Sequence, residues 1–223
     1  DGDMDIYVSN FGEENRLYHN NGDNTFQDLA KESGVSEPLN SFAAWFWDYN
    51  NDGLLDLFVA GYGTDIEEVV ADYMGLKSSG TRPKLYKNDP QNGFVDVTQT
   101  VGLNRVHLTM GANFGDIDND GYLDVYLGTG APSLEAIGPN IMYNNLEGEY
   151  FNDVTFSGRF GHLQKGHGVA FGDLDSDGDQ DVFIQLGGFY VTDKFTNALY
   201  ENPGTDNHWL GVKLIGTVSN VAG

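Results

Sequence analysis

The sequence predicts an all-β chain, a β-propeller of four-stranded antiparallel blades, and three observations predict it. An Asp-rich loop of nine residues recurs along the chain, a short apolar run follows each copy, and the distances between recurring units stay constant in all but one connection. Self-similarity at a fixed period marks repeat architectures. Four short strands per period is the pattern of a propeller blade. A sandwich is the structural alternative, but it does not explain why the spacing recurs.

The complete loops start at Asp48, Asp116 and Asp173 and read Asp48-Tyr-Asn50-Asn-Asp52-Gly-Leu54-Leu-Asp56, Asp116-Ile-Asp118-Asn-Asp120-Gly-Tyr122-Leu-Asp124 and Asp173-Leu-Asp175-Ser-Asp177-Gly-Asp179-Gln-Asp181. The chain opens on Asp1-Gly-Asp3-Met-Asp5, which fits only the last five positions of that pattern. Its first half is therefore expected to be missing. The β-rich runs Ile6–Val8, Leu57–Val59, Val125–Leu127 and Val182–Ile184 come next and read as strands.

Further units complete the repeat. An apolar-Tyr-x-Asn unit stands at 17–20, 85–88, 142–145 and 199–202, and a Phe-x-Asp unit at Phe26, Phe94 and Phe151, the last two extended by Thr98 and Thr155. Tyr to Phe is 8 residues in three repeats, and Phe to the next loop is 22 each time, whereas the last loop Asp to Tyr is 13, 30, 19 and 19. All length variation falls in one connection. Strand candidates at 43–47, 111–115 and 168–172 precede the loops, so each repeat has strands A to D with the loop joining A to B. The repeats divide as 1–47, 48–115, 116–172 and 173–206, followed by a distinct segment at 207–223.

Successive turns of an up-and-down blade alternate between its ends. The A–B loops and C–D turns therefore share one face, and the variable B–C connections lie on the other. The longest, 61–83, holds Thr64 and Glu67 as a capping box and Ile66, Val69, Val70, Tyr73 and Met74 at helical spacing. It predicts a short helix packed as a lid, with a partner-binding helix as the alternative.

Alternating Asp and Asn side chains aim several oxygens at one centre, and the glycine permits the sharp turn, as a hard cation with six to eight oxygen ligands requires. Positions 1, 3, 5 and 9 are the expected side-chain ligands: Asp48, Asn50, Asp52 and Asp56; Asp116, Asp118, Asp120 and Asp124; Asp173, Asp175, Asp177 and Asp181. The carbonyl of position 7, at Leu54, Tyr122 and Asp179, is the expected backbone ligand. Asp1, Asp3 and Asp5 form a truncated site. An EF-hand needs Glu at position 12 and a following helix, but position 12 is Val59, Leu127 or Ile184 with a strand behind position 9. The expected ion is Ca²⁺, since Mg²⁺ usually keeps several waters.

Composition agrees. Thirty-four acids against eleven bases give a formal charge of -23, which excludes nucleic acid and anionic membrane surfaces as partners. Cysteine is absent, which removes disulfides and thiolate sites, and no apolar run is long enough to span a bilayer. The five histidines, His19, His107, His162, His167 and His208, show no metal spacing, and no nucleophile elbow occurs. A non-enzymatic role is expected. His167 aligns with Phe42 and Met110 at the start of strand A, as a structural or a ligand-binding residue, and Trp45 and Trp47 share one strand face, for packing between blades or for sugar stacking.

The loops, with Phe114-Gly-Asp116 and Phe171-Gly-Asp173 leading into them, resemble the FG-GAP/VCBS repeats of integrin-α-like propellers. The segment from Asn207 to Asn220 resembles the opening of an ASPIC/UnbV segment, found after the propeller in relatives of cartilage acidic protein. The resemblance implies a seven-bladed propeller of which this chain holds four blades. It also implies a secreted, periplasmic or cell-surface place, and a protein or glycan ligand on the face opposite the metal loops. A lectin-like or polysaccharide-processing propeller is the alternative. Asn50 in place of Asp, Trp47 in place of the glycine before the loop, and the absence of Phe-x-Asp-x-Thr from the fourth repeat depart from the pattern.

Overall fold

The computed structural model describes residues 2–63, 65–210 and 212. Fourteen strands and one helix, α1 (Ile66–Tyr73), make up the described elements. They form four antiparallel sheets in chain order. The first is β1 (Ile6–Val8), β2 (Arg16–Asn20) and β3 (Phe26–Asp28). The second is β4 (Ser41–Trp47), β5 (Asp56–Gly61), β6 (Lys84–Asp89) and β7 (Gly93–Asp96). The third is β8 (Thr109–Gly115), β9 (Asp124–Thr129), β10 (Ile141–Leu146) and β11 (Tyr150–Asp153). The fourth is β12 (Gly166–Gly172), β13 (Asp181–Leu186) and β14 (Ala198–Tyr200).

Each strand pairs with the next in sequence, which is the up-and-down blade that the repeat predicts. The opening strands β4, β8 and β12 lie side by side, as the inner strands of a propeller do. Sequence repeats and sheets are out of phase: a repeat starts at its loop, whereas a sheet starts one strand earlier, at Ser41, Thr109 or Gly166.

Period-two alternation explains why the second strand of a blade is apolar throughout. Successive side chains point to opposite faces, and here both faces are covered. Leu57 and Val59 pack with Leu17 and Val35 of the first blade, while Phe58 and Ala60 pack with Val125, Leu127 and Tyr143 of the third. Tyr126 turns the other way and meets Val182 and Ile184 of the fourth. Every residue of β5 and β9 is buried as a result. In β13, Phe183 and Gln185 are exposed, because no described blade covers that face.

Trp45 and Trp47 take the packing role. Trp45 stacks 4.6 Å from Phe58 and 5.3 Å from Phe114, and Trp47 lies 5.9 Å from Phe151, all between the second and third blades. Phe42, Met110 and His167 share a local feature that their alignment did not reveal. Each sits inside a β-bulge in the first strand of its blade, between Ser41 and Ala44, Thr109 and Gly111, and Gly166 and Val169. His167 Nε2 is 2.7 Å from the Gly187 carbonyl oxygen.

α1 lies on the third blade as a lid. Ile66 and Val69 pack on Tyr62, Leu108, Ala131 and Ala136, while Val70 and Met74 face outward, so the buried stripe is narrower than the spacing predicts. The N-cap is Asp65, with no side-chain cap bond; Thr64 lies outside the described residues. The expected capping box is corrected on this point. Glu68, the third residue after Asp65, turns away from the helix start and accepts from Ser78 and Ser79. At the far end buried Asp72 accepts from Arg82 and from the Val106 N–H at 3.2 Å.

Beneath the lid His107 is fully enclosed, with Nε2 2.9 Å from the Tyr143 hydroxyl oxygen. Burial pushes it down to about 4 from 6.5, against the attraction of Asp153 and Asp72. Above pH 6.5 both folded and unfolded chains keep this imidazole neutral. Between 6.5 and 4 only the unfolded chain takes up the proton, so stability falls with pH across that window. Between pH 7 and pH 4.5, urea denaturation is expected to show wild type losing about 2 kcal/mol more than His107→Phe. Parallel losses in the two proteins would refute the burial assignment.

Candidate metal sites

Each loop is a closed backbone turn whose shape follows from its residues. Position 4 has a left-handed backbone, at Asn51 (φ 57°), Asn119 (φ 54°) and Ser176 (φ 66°), and position 6 is glycine at φ 85°, 92° and 99°. Asn tolerates the left-handed region better than most side chains, and glycine adopts it freely. The position 1 carboxylate then closes the turn. Asp48, Asp116 and Asp173 each accept from the N–H of positions 5 and 6, at 2.8–3.1 Å.

The structure brings positions 1, 3 and 5 together. Oxygens of Asp116, Asp118 and Asp120 lie within 4.8 Å of one another, and so do those of Asp173, Asp175 and Asp177. In the first complete loop Asn50 replaces the middle carboxylate and donates to Asp52 Oδ2 at 3.0 Å. Asp52 also holds Lys87 Nζ at 3.2 Å. Burial raises Asp52, but the Asn50 amide, the Leu54 N–H and Lys87 outweigh it and leave it lowered. Asp116, Asp120 and Asp175 are instead raised, by burial first and by neighbouring carboxylates.

Position 9 behaves differently from the other three side-chain positions. Asp56, Asp124 and Asp181 stand outside the close groups, buried, with both oxygens accepting backbone N–H. Asp124 accepts from Asn145 at 2.7 Å and Ile117 at 2.8 Å; Asp181 accepts from Asn202 at 2.9 Å and Leu174 at 3.0 Å. Burial pushes Asp124 up to about 7 and Asp56 up to about 6, despite these donors, and the other loop carboxylates add to the rise. In the truncated site Asp5 makes the same bond to Asn20 N–H at 2.8 Å, beside Asp3; Asp1 lies outside the described residues. The position 7 residues Leu54, Tyr122 and Asp179 use their N–H groups on the position 5 carboxylate, which presents each at the loop's turn.

Sequence reasoning missed the asparagine of the apolar-Tyr-x-Asn unit. Its N–H caps position 9, and its side chain spans two blades: Asn145 Nδ2 donates to Leu123 O at 3.1 Å in its own blade and to Tyr49 O at 2.8 Å in the previous loop. Asn202 repeats this with Gln180 O at 3.2 Å and Ile117 O at 2.7 Å. The recurrence of Asn at one offset from Tyr was the available signal.

The fit of a cation can be tested on unpartnered atoms. Asn50 Oδ1 and Asp118 Oδ1, both at position 3, are buried oxygens with no hydrogen-bond partner. Buried polar atoms normally have one. An ion in the loop would satisfy both, so the residues fit the group.

A family model for FG-GAP-like repeats matches residues 1–59 and 48–127. The chain belongs to the FG-GAP-like repeat family. No curated protein sequence matches it. One solved structure similar to this FG-GAP-like chain is an Agrocybe aegerita lectin with specific recognition of non-reducing terminal N-acetylglucosamine, at 15% identity and TM-score 0.46. The alignment covers 91% of this chain and 47% of that one, so the chain spans about half the lectin's length. Among the described residues no helix is long and apolar enough to cross a membrane.

Replacing Asn145 by Ala leaves the Tyr49 and Leu123 carbonyls and the Gly148 N–H unpaired in a buried junction. Urea denaturation is expected to show a loss of about 2–4 kcal/mol. Asn20→Ala, at the exposed first blade, is expected to cost under about 1 kcal/mol. Equal costs would refute the interblade role.

Proposed function

We propose that the chain is a calcium-stiffened β-propeller module that binds a protein or glycan ligand on the face opposite its metal loops. The observation that carries the metal reading is the repeated convergence of positions 1, 3 and 5, with an unpartnered oxygen at position 3 in two loops. Ca²⁺ in each loop would supply charge neutralisation and rigidity. Positions 1, 3 and 5 would hold it, with the position 7 carbonyl and the buried position 9 carboxylate completing the site. In this reading Asp1, Asp3 and Asp5 contribute ligands to a fourth site.

Support for the ligand face comes from the connections at the other end. Phe11 and Phe42 stack there at 5.7 Å, each about half exposed, with Tyr62 packed edge-on against Phe42. Phe189, Tyr190 and Phe195 crowd the β13–β14 connection of the last blade at the same end. Loops on a rigid scaffold are where binding concentrates. The module is read as non-catalytic, because its clustered carboxylates serve the ion and its enclosed histidine His107 is spent on Tyr143. A seven-bladed parent propeller, an ASPIC/UnbV segment at 207–223 and a secreted, periplasmic or cell-surface place belong to the same proposal.

Chelator-treated protein is expected to gain thermal stability on adding calcium, about 2.7 kcal/mol for each site held at a hundredfold above its Kd. An unchanged Tm would sink the metal reading. Among the three complete loops, calorimetry is expected to rank the one at Asp48 weakest, because Asn50 removes a charge and Lys87 occupies Asp52. The ligand reading is tested separately on glycan arrays and by pull-down, where the double variant Phe11→Ser, Phe42→Ser should lose at least tenfold in binding while its calcium titration stays unchanged.

A further inference from the structure

One position of the repeat changes its charge from blade to blade while its neighbours stay constant. It is the residue between Tyr and Asn in the apolar-Tyr-x-Asn unit: His19, Lys87, Asn144 and Glu201. Strand pairing fixes where it stands. In every blade the Tyr pairs with the residue that follows position 9, as Tyr18 with Ile6, Tyr86 with Leu57, Tyr143 with Val125 and Tyr200 with Val182. The next residue along the antiparallel strand therefore lies across from position 9, where cross-strand side chains share a face of the sheet and interact.

Each blade uses the position differently. In the truncated site His19 Nδ1 is 3.1 Å from Asp5 Oδ1. Lys87 Nζ is 3.2 Å from Asp52 Oδ2, which also accepts from Asn50, while Asp52 Oδ1 accepts from the Leu54 N–H. Both oxygens of that position 5 carboxylate are thus held, one of them by a resident positive charge. Asn144 Nδ2 donates to Asp118 Oδ2 and Asp124 Oδ1, both at 3.0 Å, so it ties position 3 to position 9 without adding charge and leaves Asp118 Oδ1 unpartnered. Glu201 brings a further negative charge to the strand position across from Asp181. The loops themselves share one backbone shape, with the same left-handed residues at positions 4 and 6. What distinguishes them is charge.

We propose that this third-strand residue sets the calcium affinity of its own blade's loop. Lys87 is a tethered counter-ion that competes for the loop at Asp48, Asn144 is a neutral clamp that leaves the loop at Asp116 open to the ion, and Glu201 is an added acid that favours the ion at the loop at Asp173. An exposed ion pair adds little to folding. Its effect falls instead on a cation that needs the same oxygen, since the charge gathered at a loop tunes calcium affinity over decades. The inference rests on the calcium reading above and adds to it the residue that makes the loops fill at different calcium concentrations.

The test follows each loop separately. Gly53, Gly121 and Gly178 donate their N–H to the position 1 carboxylate of their own loops at 2.8, 2.9 and 3.1 Å, so their amide resonances report the three loops one by one. Calcium alone is titrated into the chelator-treated full chain. Lys87→Gln is expected to lower the half-filling calcium concentration at Gly53 by at least about tenfold with Gly121 unchanged, whereas Lys87→Arg keeps it near the wild-type value. Asn144→Lys and Glu201→Lys are expected to raise it at least about tenfold at Gly121 and Gly178 respectively. If Asn144→Lys does not fold, because Asn144 also holds Asp124, the two Lys87 variants and Glu201→Lys still decide the matter. Wild-type glycine resonances that ignore calcium would refute the calcium reading itself. Resonances that respond to calcium but keep their midpoints in the variants, or midpoints that move equally at all three glycines, would overturn this proposal alone.

Discussion

The buried carboxylate that ends each loop is the interaction on which the other parts of a blade depend. Asp124 joins three segments at once: the loop start through Ile117 N–H, its own strand β9, and β10 through Asn145 N–H. A buried acid bonded by two main-chain donors fixes both partners in position, and removing either donor would leave charge or dipole unpaired in a poorly solvated place. Because Asn145 continues to Tyr49 in the preceding loop, the same group also sets where one blade sits on the next. Loop shape, strand pairing and blade packing are therefore a single arrangement repeated along the chain.

This explains a division of labour inside the nine-residue pattern. Positions 1 and 5 use some of their oxygens on the loop's own N–H groups, which shapes the turn before any ion arrives. Position 3 does so only in the loop at Asp173, where Asp175 accepts from Asp177 N–H at 3.2 Å, and its unpartnered oxygens in Asn50 and Asp118 mark the place where the other two loops are unfinished. Raised values at Asp116 and Asp120 express the same crowding of negative charge. Lys87 relieves part of that crowding in the loop at Asp48, so its electrostatics differ from those of its neighbours although its backbone is alike.

Much of the architecture was legible in the sequence because repetition supplies its own alignment. Constant spacings and apolar runs such as Leu57–Val59 located the strands, while their cover on both faces came from the packing of neighbouring blades. The role of Asn88, Asn145 and Asn202 was not legible, since one residue type at a fixed offset does not say which backbone groups it meets across the fold. The burial of position 9 was not legible for the same reason: its alternation matched positions 1, 3 and 5, while its burial follows from tertiary packing. The helix starts one residue later than the expected Thr64–Glu67 box, with Asp65 as N-cap, and Glu68 bonds Ser78 and Ser79, ten and eleven residues away, which no local capping rule contains.

The bulges at Phe42, Met110 and His167 have a different kind of consequence. An extra residue in the first strand of a blade leaves its side chain outside the regular alternation of the ladder. The three bulges fall at one level of three neighbouring strands, yet they hold a phenyl ring, a thioether and an imidazole. The backbone thus repeats a device that tolerates unlike chemistry, and the row formed by these opening strands can be rewritten one sheet at a time without disturbing the sheets that carry it.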